Sequence, residues 1–161
     1  MGEKRVSLRH EGGMRFVAET GSGHEVAVDN SEGNTAPRPT ELLLVAIAGC
    51  TALDVVDILR KKRQAFERYS VEVSGSQRET APNVFLEITV LHTVEGDVET
   101  EAVRRSIELS AGKYCTVSAQ VASGVARISH RYTIKRPAGS SAPAEESAEV
   151  MVTGPLRDLL A

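Results

Sequence analysis

The run Leu42-Leu43-Leu44-Val45-Ala46-Ile47-Ala48-Gly49-Cys50-Thr51-Ala52-Leu53-Asp54-Val55-Val56 constrains the fold of this chain more than any other segment. From Leu42 to Ala48 it is apolar on every side, whereas a helix lying on one sheet face needs only an apolar stripe. A second covering surface is therefore expected, and a homodimer that wraps the helix is the simplest source of one. The apolar stretch Leu42 to Leu53 is shorter than the roughly 20 residues a membrane span requires, and Asp54 and Asp57 interrupt its continuation. It reads as a core helix. Pro39-Thr40-Glu41 suits a first turn, and Arg60-Lys61-Lys62-Arg63 suits the negative end of the dipole, which predicts a helix from about Pro39 to about Phe66.

Before this helix, Arg5–Arg9 and Met14–Ala18 alternate with period two around Gly12-Gly13, and His24–Val28 follows Gly21-Ser22-Gly23. That pattern predicts a β-meander. After the helix, Tyr69–Val73 and Val84–Val90 predict a second hairpin. Asp97 is placed to cap a helix carrying Val98, Ala102, Val103 and Ile107, stopped by Gly112, and a short helix Thr116–Ser123 and a strand Ala126–Ile134 complete the core. The order is β3-α-β2-α2-β, an α+β domain with a long central helix on a mostly antiparallel sheet. Residues 1–136 form the expected domain. Residues 137–149 are rich in Ala, Ser, Pro and Glu and cannot bury enough apolar surface to order alone, so 137–161 reads as a low-complexity tail with a possible docking segment at Val150–Leu160.

Composition narrows the partners. With 4% aromatic residues, no Trp and a net charge of -3, the chain lacks both the stacking platforms and the basic footprint of a nucleic-acid binder. Met1–Glu11 is charged and alternating, not a signal peptide, so a cytoplasmic location is expected and no membrane association. Only two cysteines occur, Cys50 in the central helix and Cys115 in Lys113-Tyr114-Cys115-Thr116-Val117-Ser118. In a reducing compartment such a pair suggests transient thiol chemistry. Metal binding is not expected, because the cysteines stand 65 positions apart and His10, His24, His92 and His130 are scattered. Asp57 and Lys61 form an i,i+4 pair, and Asp54 is placed with it as a helix partner.

Pro39-Thr40-Glu41-Leu42-Leu43-Leu44, Gly49-Cys50-Thr51-Ala52-Leu53-Asp54-Val55-Val56 and Tyr114-Cys115-Thr116-Val117-Ser118 together resemble the OsmC/Ohr family, closest to its YhfA-like branch, over about residues 4 to 136. The resemblance implies an intertwined homodimer with active sites at the subunit interface. It further implies a thiol-dependent peroxidase for organic hydroperoxides, with Cys50 as the peroxidatic thiol and Cys115 as the resolving one. Arg15, ahead of Arg9 and Arg5, stands where the family places an arginine that stabilises the thiolate. Glu41 corresponds to the glutamate that orients this arginine, except that the family residue directly follows a proline, whereas Thr40 intervenes here. One helical position is a rotation of about 100°.

Each of these residues also has a plainer reading: Cys50 as core packing, Arg15 as a solvated strand residue, Glu41 as a first-turn acid. The two thiols compete as well, since Cys115 at a helix N-terminus is by local electrostatics the better thiolate, whereas Cys50 has the acid Asp54 at i+4. The leading expectation is a peroxidase cycling through Cys50 sulfenic acid to a Cys50–Cys115 disulfide in the oxidative-stress response. It would need no cofactor, a hydroperoxide bound in an apolar pocket of Leu43, Ile47 and partner-subunit residues, and an unidentified dithiol reductant. The alternative is a weakly active or non-catalytic ligand-binding or stress-response protein of the same fold, and thiol-mediated redox sensing is a third possibility.

Overall fold

The computed structural model describes residues 3–124 and 126–154 and divides into two units, Met1–Leu43 and Leu44–Ala161. The first unit is the expected meander: β1 (Val6–Gly12), β2 (Arg15–Thr20) and β3 (Glu25–Val28) form a three-stranded antiparallel sheet in that order. Gly12 and Gly13 both take positive φ, 110° and 56°, which is why a glycine pair makes this turn. Val17 and Ala18 are its buried apolar residues.

Helix α1 (Pro39–Lys61) begins with Pro39, and the Glu41 carboxylate accepts the Arg38 backbone N–H at 2.8 Å, the reaching-back half of a capping box. It ends five residues before Phe66. The Arg63 backbone turns left-handed (φ 57°), and the N–H groups of Arg63 and Gln64 bond back to Arg60 O and Leu59 O, so the chain leaves the helix in a Schellman-type stop and enters β4 (Ala65–Gln77). At 23 residues α1 is long and apolar enough by length and composition to cross a membrane, contrary to the expectation from its apolar run. Its Ile47, Thr51, Val55 and Leu59 are nonetheless completely buried, one per turn, and the three apolar ones join two clusters of core residues from the second unit's sheet. The helix is a core element of that unit, with Val45 and Leu53 exposed elsewhere on it.

The second unit carries a four-stranded sheet in the order β4-β5-β6-β7, with β5 at Phe85–Asp97, β6 at Arg127–Lys135 and β7 at Glu145–Thr153. β4 and β5 form the expected hairpin, but β5 and β6 run parallel, so the sheet is mixed. The parallel pair needs a crossover, supplied by α2 (Thr100–Leu109), a π-helical turn at Ser110–Tyr114 and α3 (Thr116–Ala122). Asp97 does not cap α2. It is the last residue of β5, paired with Ala65, and the capping position falls to Glu99 without a side-chain bond.

The segment whose composition argues against independent order is ordered by pairing: β7 adds antiparallel to β6, which is therefore not the last strand. Arg136 fastens this return. Its buried guanidinium donates to Val98 O, Pro143 O, Thr100 Oγ1 and Glu146 Oε2 at 2.8 to 3.2 Å. Of the expected docking segment, Val150–Thr153 belongs to β7 and residues from 155 onward lie outside those described.

Candidate functional site

Cys50 and Asp54 lie one turn apart on α1, so their side chains share a face. Opposite them the chain leaves α2 through the π-helical turn, whose first residue is Ser110, and arrives at Cys115, the N-cap of α3. Single π turns inside helices recur at functional sites because they re-aim one residue out of register. Here Ser110 opens the π turn. Its hydroxyl donates to Asp54 Oδ2 at 2.9 Å and accepts from Thr51 Oγ1 at 3.0 Å, while its carbonyl accepts the Cys115 N–H at 2.8 Å. One buried serine thus fixes the acid on α1 and the backbone of the second thiol.

The fold brings together two thiols that stand 65 positions apart in the sequence. Cys50 Sγ, Cys115 Sγ and an Asp54 carboxylate oxygen lie within 4.8 Å of one another, and both cysteines are free thiols. Cys115 is buried, 2% exposed, and Cys50 is only partly covered. The Cys115 thiol donates to Ser118 Oγ at 3.0 Å and accepts the Ser118 N–H at 3.4 Å. Burial pushes its pKa up, against the lowering effect of the Ser118 bonds. The stabilisation that the helix terminus offers the Cys115 thiolate is therefore outweighed by desolvation, and α3 is only 7 residues long.

Arg15 and Glu41 belong to the first unit, where the structure does not bring them together. Arg15 donates to Glu11 at 3.3 Å and to Thr35 O and Oγ1 at 3.2 and 3.0 Å. Glu41 pairs with the Arg38 guanidinium at 2.7 Å, and that hydrogen bond holds its carboxyl below the usual range. The acid organising the Arg15 corner is Asp29, 5% exposed, whose oxygens accept from Thr35 Oγ1, Thr35 N and Asn30 N at 2.6 to 3.0 Å. These bonds, led by the Thr35 hydroxyl, lower its pKa. A Cβ at Gly33 would meet Asp29 Oδ2 at 2.5 Å, so the loop closes around this carboxylate only with glycine there. Asp29 and Thr35 sit in a stretch that reads only as an Asn-, Gly- and Pro-rich loop, and Ser110 carries no sequence signal. Asp54 was visible as the residue at i+4 from Cys50.

A largely apolar groove of about 460 Å³ lies in the first unit, lined by Leu8, Met14, Phe16, Val28 and Pro39 together with Asp29, Asn30, Ser31 and Arg38. Leu43 is 37% exposed, but Ile47 is completely buried in the core and cannot line an open pocket as expected.

An α+β fold that converges two free thiols from a long helix and a short helix N-terminus defines a dithiol protein of one known architecture. The chain belongs to the OsmC family: the family model described as OsmC-like protein matches residues 31–146. Protein YhfA of Escherichia coli (strain K12) is 40% identical over 123 residues, which are 76% of this chain and 91% of that protein. The crystal structure of a hypothetical protein from Aquifex aeolicus VF5 is similar with a TM-score of 0.75 and 33% identity, covering 85% of this chain and 99% of that one. The structure of an organic hydroperoxide resistance protein OsmC from Legionella pneumophila shares the fold with a TM-score of 0.60 at 15% identity, covering 83% of this chain and 97% of that one.

Proposed function

We propose that the protein is a cytoplasmic, homodimeric thiol peroxidase that reduces organic hydroperoxides, with Cys50 attacking and Cys115 resolving. The observation that carries this reading is the convergence of the two sulfurs within 4.8 Å, one partly accessible and one buried. The Cys50 thiolate attacks the peroxide O–O bond, giving Cys50 sulfenic acid and an alkoxide that leaves as the alcohol. The Cys115 sulfur then displaces the hydroxyl as water and forms the disulfide, before a second peroxide can over-oxidise Cys50. An external dithiol returns two electrons. Val45 and Leu53, 61% and 76% exposed on α1, supply apolar surface suited to a second copy. Arg15 is the cation that this reading assigns to assist the thiolate. The Legionella protein's name supplies the hydroperoxide class, at an identity that carries the fold alone.

The engagement of Glu41 by Arg38, together with the apolar groove of the first unit, favours a second reading: a ligand-binding or stress-response protein with weak turnover. One titration separates them. Reduced protein receives one equivalent of an alkyl hydroperoxide, and free thiols and intact mass are followed for wild type, Cys50→Ser and Cys115→Ser. The peroxidase loses both thiols in wild type, accumulates sulfenic or over-oxidised sulfur in Cys115→Ser and consumes no peroxide in Cys50→Ser. Survival of both thiols in wild type overturns the reading and directs attention to the groove.

A further inference from the structure

We infer that the reduced site is also a binding site for one soft divalent cation of the zinc class, ligated by Cys50 Sγ, Cys115 Sγ and an Asp54 carboxylate oxygen. The inference shares atoms with the proposed peroxidase site but does not rest on peroxide turnover.

Three features carry it. The ligand atoms already converge: a tetrahedral ion with sulfurs about 2.3 Å away needs donors about 3.8 Å apart, so atoms lying within 4.8 Å of one another close on it by moving about 1 Å. The donors are held on two elements, Cys50 and Asp54 one turn apart on α1 and Cys115 at the N-cap of α3. Asp54 is oriented by Ser110, in the way an outer hydrogen bond orients a metal-binding carboxylate. Charge is compatible with this. Among the described residues of the second unit no Lys or Arg pairs with Asp54, whereas Asp57 has Lys61 at 2.6 Å, and the two thiols become thiolates as they give up their protons to ligate the ion. Two thiolates select zinc-class ions over magnesium or calcium, and three protein donors leave a fourth position for water or a small ligand. Cys50, partly accessible, provides the way in.

Binding releases the thiol protons to solvent, about two per ion. It also engages both lone-pair donors that oxidation requires, so the metal-bound and disulfide forms exclude one another. A bound cation holds the dithiol reduced.

The test uses the full chain, fully reduced and stripped with a chelator, titrated without oxygen with Zn2+ against a chromophoric competitor and separately with Co2+. One ion per chain and a cobalt–thiolate charge-transfer band are expected. Cys50→Ser and Cys115→Ser should each abolish the band, Asp54→Asn should weaken binding at least tenfold, and Ser110→Ala should weaken it about 10- to 100-fold. Prior oxidation to the disulfide should abolish binding altogether. Circular dichroism establishes that each variant is folded. Absence of a thiolate band in wild type, or unchanged stoichiometric binding in folded Cys50→Ser or in the disulfide form, overturns the inference. Peroxide consumption measured on the chelator-stripped protein is a separate readout: turnover without metal binding sinks only this inference, and metal binding without turnover sinks only the peroxidase.

Discussion

His92 and His130 make the stability of this fold sensitive to mild acid, and His130→Leu isolates the effect. Both rings are completely buried, from neighbouring parallel strands, stacked at 6.4 Å between centroids. Burial lowers the pKa of His92 to about 3, with the second ring adding repulsion, and that of His130 to about 4. In the unfolded chain both return to about 6.5. The unfolded state therefore binds more protons below that value, so stability is fully present above about pH 6.5 and is lost as pH falls toward the folded-state values. For a base shifted from 6.5 to about 4 or lower, the loss between about pH 8 and about pH 5 is about 2 kcal/mol per ring, hence about 4 kcal/mol for the pair. That is a large share of the 5–15 kcal/mol typical of a domain.

His130 is the cleaner site. Tyr69 bonds His92 Nδ1 at 2.6 Å, so replacing His92 would strand a phenol, whereas neither His130 nitrogen has a hydrogen-bond partner among the described residues. His130→Leu should therefore leave stability near pH 8 within about 1 kcal/mol of wild type or better. It should also remove about half of the acid-induced loss. Urea unfolding followed by circular dichroism at fixed protein concentration, at several pH values from 8 to 5, provides the measurement. Parallel pH curves for the two proteins would refute the reasoning, and a large loss near pH 8 would show that the His130 nitrogens are satisfied after all.

Leu53→Glu, on a residue 76% exposed on α1, should leave the fold intact and shift the protein toward monomer in sedimentation velocity, if this helix face is where a second copy sits. Ser110→Ala removes the partner of both Thr51 and Asp54 and should cost about 1–3 kcal/mol in chemical unfolding. Arg136→Met should cost about 2 kcal/mol or more, because it breaks four hydrogen bonds, one of them also the ion pair to Glu146, from a guanidinium that is 1% exposed, and hydrogen exchange should localise the loosening to β7.

Where the chain signals its structure locally, reading residues was enough. The meander follows from alternation and the Gly12-Gly13 turn, α1 from its apolar run, and the Cys115 cap from a position just before a short helix. What failed was non-local. The first half of residues 145–153, Glu145-Glu146-Ser147-Ala148-Glu149, does not announce a strand, because there β7 is stabilised by the β6 edge and by Arg136 rather than by its own Glu-rich composition. The parallel β5–β6 register is likewise set by the crossover between them. The length of β5 was underestimated because its alternation continues past Val90 through His92 and Val94, where one histidine interrupts the apolar pattern while still facing inward. In the site, the i+4 relation of Cys50 and Asp54 was readable, but Ser110 was not: a π turn gives no period to detect, and a buried serine acquires its role only from what folds against it.

The choice between two candidate nucleophiles turns on the same distinction. Sequence position favours Cys115, because a helix N-terminus stabilises a thiolate. The stabilisation on offer is one amide at 3.4 Å from Sγ, at the end of a helix of 7 residues, and the thiol is simultaneously bonded to the Ser118 hydroxyl. Against it stands the desolvation of a sulfur that is 2% exposed, and the net direction is upward. A thiol kept protonated and out of solvent is poorly placed to meet a peroxide first. It is held beside the sulfur that would become the sulfenic acid, where proximity favours attack, and the proton it must give up can leave with the departing hydroxyl as water. Helix-terminus position and burial thus point to different sulfurs for the first step of the proposed cycle, and burial favours the order in which Cys50 attacks and Cys115 resolves.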